Sequence, residues 1–187
     1  MNHTCQAHKT INGFTMVELM ITLAVAVILV VIAIPSFQSI ILSNRLTTAA
    51  NEVVDALNVA RMEAVKLNAN TQFCSNSLSS NTNSNSSDTL GTACATQTGA
   101  VYALANSGTT QVQTAISDIS SPLQISVIKP VRFNGQGLGY AVGTTTPFSG
   151  TVADICASKL SSNNHVVISV AAGGSVISTS TSTGTCP

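Results

Sequence analysis

GFTMVELMITLAVAVILVVIAI, residues 13–34, contains a single charged side chain, Glu18. From Thr15 to Ile34 the run is 20 residues long, and about 20 predominantly apolar residues are what a helix needs to cross a bilayer. A secretory signal peptide would use the same run as its apolar centre. Three features oppose that reading. The run exceeds the usual length of roughly 7–15 residues. No small-x-small cleavage site follows it, because the chain continues Ile34-Pro35-Ser36-Phe37. A carboxylate also lies inside it, near the polar edge at Gly13. Charges at bilayer depth are costly and usually paired, yet no cation lies within a helical turn of Glu18, and Lys9 is too far back.

Downstream of Pro35 the pattern turns amphipathic. Phe37, Ile40, Ile41, Leu46, Ala49, Ala50, Val53, Val54, Leu57, Ala60, Ala64 and Val65 recur at steps of three and four, the spacing of one apolar helix face. Arg45, Glu52, Asp55, Arg61, Glu63 and Lys66 fill much of the rest, and Asn68 and Asn70 are stop residues. At 1.5 Å per residue, a helix over residues 14–67 is a rod of roughly 80 Å. Its second half requires a sheet to cover the stripe.

Residues 75–89, SNSLSSNTNSNSSDT, are low in complexity and predict a mobile loop. Beyond them, β-rich runs alternate with turn residues. Strands are expected at Ala100–Ala105, Leu123–Ile128, Val131–Asn134, Leu138–Val142, Val152–Ala157, Val166–Ala171 and Ser175–Ser178, with a turn at Asn134-Gly135 and a hairpin at Gly173-Gly174. The fold class is therefore α+β: a long N-terminal helix packed on a C-terminal antiparallel sheet domain.

Composition narrows the function. The 187 residues have zero formal net charge, 7% charged and 4% aromatic side chains, and no Trp. No basic excess is available for phosphate contacts, so strong nucleic-acid binding is not expected. The five cysteines are Cys5, Cys74, Cys94, Cys156 and Cys186. A cut after Gly13 would remove Cys5 and leave an even number. A zinc site needs about four N/S ligands in close groups. With no CxxC and one histidine, His165, beyond residue 13, no metal site and no cofactor are expected. Two structural disulfides in an oxidising compartment fit better. Four cysteines allow three connectivities. Chain order favours Cys74 with Cys94 and Cys156 with Cys186, each pair bracketing a Ser/Thr/Asn-rich stretch.

No catalytic constellation is expected. Asp88, Asp118 and Asp154 read as isolated turn formers, and His165, beside Asn163-Asn164, as an exposed turn residue. Gly135-Gln136-Gly137-Leu138-Gly139 is followed by no helix pattern, which excludes a dinucleotide fingerprint. Lys129, Arg132 and Lys159 read as scattered solvated charges.

GFTMVELMIT, residues 13–22, resembles the processing site of the type IV pilin and type II secretion pseudopilin superfamily. A short polar leader with one basic residue, Lys9, ends in Gly13. Phe14 and Thr15 follow, with Glu18 at the fifth position counted from Phe14 and Pro35 at the twenty-second. The resemblance implies that a prepilin peptidase cuts between Gly13 and Phe14 and N-methylates Phe14. It further implies that Glu18 engages the new N-terminal amine of an adjacent subunit, and that Pro35 kinks the helix. The implied organisation is a leader at 1–13, a transmembrane and assembly helix at 14–35, and a periplasmic globular domain at 36–187.

Within that superfamily, LNVARMEAVKLNANTQFC, residues 57–74, resembles the helix-to-first-strand junction of the GspH/FimT/FimU minor pilins. PVRFNGQGLG, residues 130–139, resembles their phenylalanine-and-glycine turn, and DICASK and HVVISVAAGGSVIS their last strands. The chain departs from the group in lacking its tryptophan strand. The resemblance implies a minor pilin that starts or caps a type IV pilus. The protein would be held in the inner membrane by one pass, with its domain in the periplasm, and then built into an extracellular filament. Its partners would be other major and minor pilins, through the N-terminal helix, and the prepilin peptidase. The alternatives are a type II secretion pseudopilin and a DNA-binding minor pilin for natural transformation. Some FimT-type proteins bind DNA through a GRxR-like motif in the last hairpin. The corresponding stretch here is Gly173-Gly174-Ser175-Val176, without either arginine.

Overall fold

The computed structural model describes residues 13–83, 87–105, 108–117, 119–174 and 176–187. The expected leader residues 1–12, with Cys5 and Lys9, lie outside the described residues, as do Asp118 and Ser175. The chain divides between Gln38 and Ser39 into two compact units.

Helix α1 covers Met16–Leu67. Its backbone stays helical through Pro35. It stops where the sequence places a stop. Asn68 takes the left-handed conformation at φ 47°. Its N–H donates to Val65 O, and the N–H of Ala69 donates to Ala64 O. This is a Schellman closure, which satisfies carbonyls that the helix end leaves open. The chain reverses at once into strand β1.

In the larger unit, residues 42–64 of α1 present Leu42, Leu46, Ala49, Ala50, Val53, Ala56, Leu57, Ala60 and Ala64, all buried. The stripe is narrower than the periodicity suggested: Phe37, Ile40, Ile41 and Val65 are exposed, and Leu42 joins the core instead. Five of the nine buried residues are alanine, so the sheets approach the helix backbone closely. Burying a Leu or Val there contributes about 1.5–3 kcal/mol.

Two antiparallel sheets cover the stripe. The first comprises β1 (Thr71–Phe73), β2 (Val101–Ala105), β3 (Gly108–Gln113), β5 (Val131–Phe133) and β6 (Gly139–Ala141), in the order β3-β2-β1-β5-β6. The second comprises β4 (Leu123–Ile128), β7 (Gly150–Ala157), β8 (His165–Ala171) and β9 (Val176–Ser182), in the order β4-β7-β8-β9. Phe73, Val101, Val131 and Phe133 from the first sheet join the same core as Ile155, Val166, Ile168 and Val170 from the second. Ala153, Ile155 and Ala157 alternate with Asp154 and Cys156 along β7. One face of this sheet therefore meets the core and the other carries polar and sulfur-bearing side chains.

Two expectations need correction here. Residues 75–89 are not a featureless mobile loop. Their described residues include helix α2 (Leu78–Asn81), and they lead into helix α3 (Thr89–Cys94). Asn81 is fully buried; its amide accepts from Ser75 N and donates to the carbonyls of Ser75 and Ala95. The Asn81 carboxamide thus ties together described residues at both ends of this segment. Strand β3 was not expected, because Gly108–Gln113 carries one apolar residue, Val112. It is an edge strand paired on β2, so it needs no buried face.

Disulfides join Cys74 to Cys94, with Cα atoms 5.4 Å apart, and Cys156 to Cys186, 5.9 Å apart. They close loops of 20 and 30 residues, for which restriction of the unfolded chain is worth about 3–4 kcal/mol each.

Candidate functional site

At the start of α1, Thr15 is the N-cap. Its carbonyl accepts from Leu19 N at 3.1 Å, and its Oγ1 accepts from Glu18 N at 3.2 Å. Thr15-Met16-Val17-Glu18 thus has the spacing that starts a helix, with a carboxylate in the first turn opposite the positive end of the backbone dipole. Helix geometry accounts for an acid at this position even before any partner is considered. From Phe14, 79% exposed, through Ile34, large apolar side chains are exposed on every side of the helix. A helix apolar all round is a membrane span or a buried element, and this one is long and apolar enough to cross a membrane.

Arg132, on β5, is not a solvated charge. Its Nη2 donates to both carboxylate oxygens of Asp88, at 2.9 and 3.0 Å, and to Gln72 Oε1; its Nε also donates to Gln72 Oε1, at 3.0 Å. Asp88 is not a simple turn former either. It caps α3 by accepting from Gly91 N, and it accepts from Asn83 N. Burial pushes its carboxyl up, but those two N–H bonds and the Arg132 guanidinium outweigh burial and hold it below the ordinary 3.8. Gln72, fully buried, donates to Asn81 O at 2.8 Å. The network fastens the α2–α3 segment to β1 and β5. Lys129 and Lys159 are exposed.

His165 also departs from expectation. It opens β8, is 6% exposed, and directly opposes Cys156 of β7. Its Nδ1 lies 2.9 Å from Asp154 Oδ1. It is buried because the C-terminal tail crosses the outer sheet face. Asn164 Nδ2 donates to Gly184 O, Gly184 N donates to Asn164 Oδ1, and Cys186 is bonded to Cys156. The polar neighbours Asn163 and Asn164 suggested a turn, whereas Asn164 is a clamp on the tail.

The turn between β8 and β9 holds Gly173 and Gly174 at φ 64° and 89°. A Cβ on Gly174 would fall 2.5 Å from Phe133 Cε1. Gly174 O accepts from Arg61 Nη1 at 3.1 Å. The turn is packed at Gly174, and Val176 beyond it is exposed. Gly174 has no side chain and Val176 no polar one, so neither position offers a side-chain donor to phosphate. Full-length protein in detergent should shift duplex DNA in a gel no better than weakly at physiological salt. A sub-micromolar, steeply salt-dependent shift would overturn this reading.

A single all-round apolar helix leading a helix-on-sheet domain defines a pilin-like membrane-anchored protein. Residues 8–34 match the prokaryotic N-terminal methylation motif, and residues 49–174 match the model of the type II transport protein GspH. The chain belongs to that GspH family of pseudopilins and minor pilins, a family of structural subunits. Neither a curated protein nor a solved structure matches it.

Proposed function

We propose that the protein is a minor pilin of a type IV pilus that helps to initiate or cap filament assembly. In this reading a prepilin peptidase cuts between Gly13 and Phe14 and methylates the new Phe14 amine. The protein waits in the inner membrane with its domain in the periplasm, then enters the filament by packing α1 against the helices of other pilins. Glu18 receives the amine of an adjacent subunit. The observation that carries this is the uncovered apolar surface of α1 from Met16 to Ile34, with one carboxylate in its first turn and a methylation motif over the same residues. A second reading, a type II secretion pseudopilin in a short periplasmic filament, is favoured by the description of the matching family model.

Processing is directly testable. Intact mass and N-terminal sequencing of the membrane-extracted protein should give a chain starting at N-methylated Phe14. An uncut chain, or one cut after Ile34, would defeat the proposal. Deleting the gene and scoring surface piliation, protein secretion and DNA uptake together separates the readings. Loss of piliation alone supports the pilus, and loss of secretion alone supports the pseudopilin.

A further inference from the structure

The outer face of the second sheet gathers a ligand set that sequence spacing concealed. The two sulfurs of Cys156 and Cys186 and a ring nitrogen of His165 lie within 4.8 Å of one another. Strand pairing sets Cys156 opposite His165, and the tail delivers Cys186. His165 is 6% exposed. Its Nδ1 is taken by Asp154, while its Nε2 is buried with no hydrogen-bond partner among the described residues. Nε2 points at the tail: a Cβ on Gly184, two residues before Cys186, would sit 3.1 Å from it.

A buried imidazole nitrogen with no partner loses its water without compensation. The arrangement is nevertheless the one that metal-binding histidines use, with one nitrogen fixed by a carboxylate and the other left free for the ion. A structural role would be met by an apolar side chain under the tail, with neither the Asp154 contact nor the orphan nitrogen.

We propose that, with its Cys156–Cys186 bond reduced, the protein binds one Zn²⁺ through Cys156, Cys186 and His165 Nε2, with Asp154 orienting the ring. The chemistry balances. A dithiol or phosphine reductant supplies two electrons and is itself oxidised; the S–S bond breaks and two thiols form. Zn²⁺ then displaces one proton from each thiol. Three protein ligands leave the fourth tetrahedral position to water, the Cys2His pattern of open zinc sites rather than the four-ligand pattern of closed structural ones. The tail thus has two alternative closures on the sheet, a covalent one when oxidised and a metal-centred one when reduced. Such a site would hold the C-terminal segment in place before the disulfide forms.

The test uses the full chain in detergent in a Cys5→Ser background, oxidised and after reduction by a phosphine, with Co²⁺ as a visible stand-in for Zn²⁺. The reduced chain should take up one equivalent of Co²⁺, with thiolate-to-metal charge-transfer and tetrahedral d–d bands that Zn²⁺ abolishes. The oxidised chain should show neither. Cys186→Ser should lose the bands, and Asp154→Asn should weaken binding about 10–100-fold. His165→Ala, folded in the oxidised state by circular dichroism, should bind at least tenfold more weakly once reduced. Absence of bands in a reduced chain that keeps its circular dichroism would overturn the proposal. So would bands that survive His165→Ala or Cys186→Ser undiminished, which would place the metal on Cys74 and Cys94. If reduction unfolds the domain, Zn²⁺ should restore the sheet signal and a chelator remove it; failure to restore it would equally overturn the assignment.

Discussion

Glu18→Ala is expected to leave the protein processed and held in the membrane while reducing its recovery in sheared filaments about tenfold or more. Anchoring depends on the apolar run, since a membrane helix satisfies its backbone internally. Removing a carboxylate from that run eases insertion rather than opposing it. The proposed cut at Gly13 lies outside the helix, and the cap at Thr15 Oγ1 accepts from the backbone N–H of residue 18, which alanine retains. What alanine removes is the charge that, in the proposed assembly, attracts a neighbour's terminal amine through a medium of low dielectric. Glu18→Asp should recover part of the incorporation, because it keeps the charge but shortens its reach. Fractionation into membrane-held and sheared protein reads all three states. Wild-type incorporation of Glu18→Ala would sink the pairing model.

Arg132→Ala should destabilise the domain by about 3–5 kcal/mol, the usual cost of removing one partner from a buried pair. For a chain of this size that lowers the melting temperature by roughly 6–20 °C. The Asp88 side chain is 4% exposed, so its carboxylate cannot turn to water when the guanidinium goes, and Gln72 Oε1 loses both its donors. Acid dependence follows the same network. The folded pKa of Asp88 is lowered, so its contribution is complete above the ordinary carboxylate value of 3.8 and is lost as the pH falls through the lower folded value. Arg132→Ala narrows the gap between folded and unfolded pKa values, so stability should fall less steeply below that pH. A thermal melt by circular dichroism across acid pH measures both effects. A drop of under about 2 °C at neutral pH would show that the pair is solvated.

The sequence announced the helix because its signals are local: apolar residues at helical steps, Thr15 ahead of it, Asn68 after it. The longer strands were legible for a similar reason, since β-branched runs such as Val166–Val170 cannot be satisfied except in a sheet. The Asp88–Arg132–Gln72 network was not legible, because its members are 44 and 60 residues apart in sequence and meet through β1–β5 pairing. A hint was present in Val131-Arg132-Phe133, where one charge sits between two buried apolar residues. His165 was misread because local polarity reports on neighbours in sequence, whereas its burial comes from a tail that returns from residues 183–187. Strand β3 was missed because a polar edge strand leaves no apolar period to detect.

The placement of β1 bears on how the domain assembles in time. Its three residues lie at the centre of the first sheet, yet Thr71 pairs with Ala103 on one side and Phe133 on the other. Both partners must be recruited across long chain segments. By contrast, β7, β8 and β9 pair in succession through short turns. Closure entropy rises by only about 0.6 kcal/mol for each doubling of the intervening chain, but it must be met before any distant contact rewards it. Assembly rates fall as pairings become less local. The β7–β8–β9 meander can therefore form as soon as its own residues are available. Strand β1 can pair with β2 once residue 105 is available but gains its second neighbour only when residue 133 has emerged, so a chain arrested earlier than that leaves one edge of β1 open.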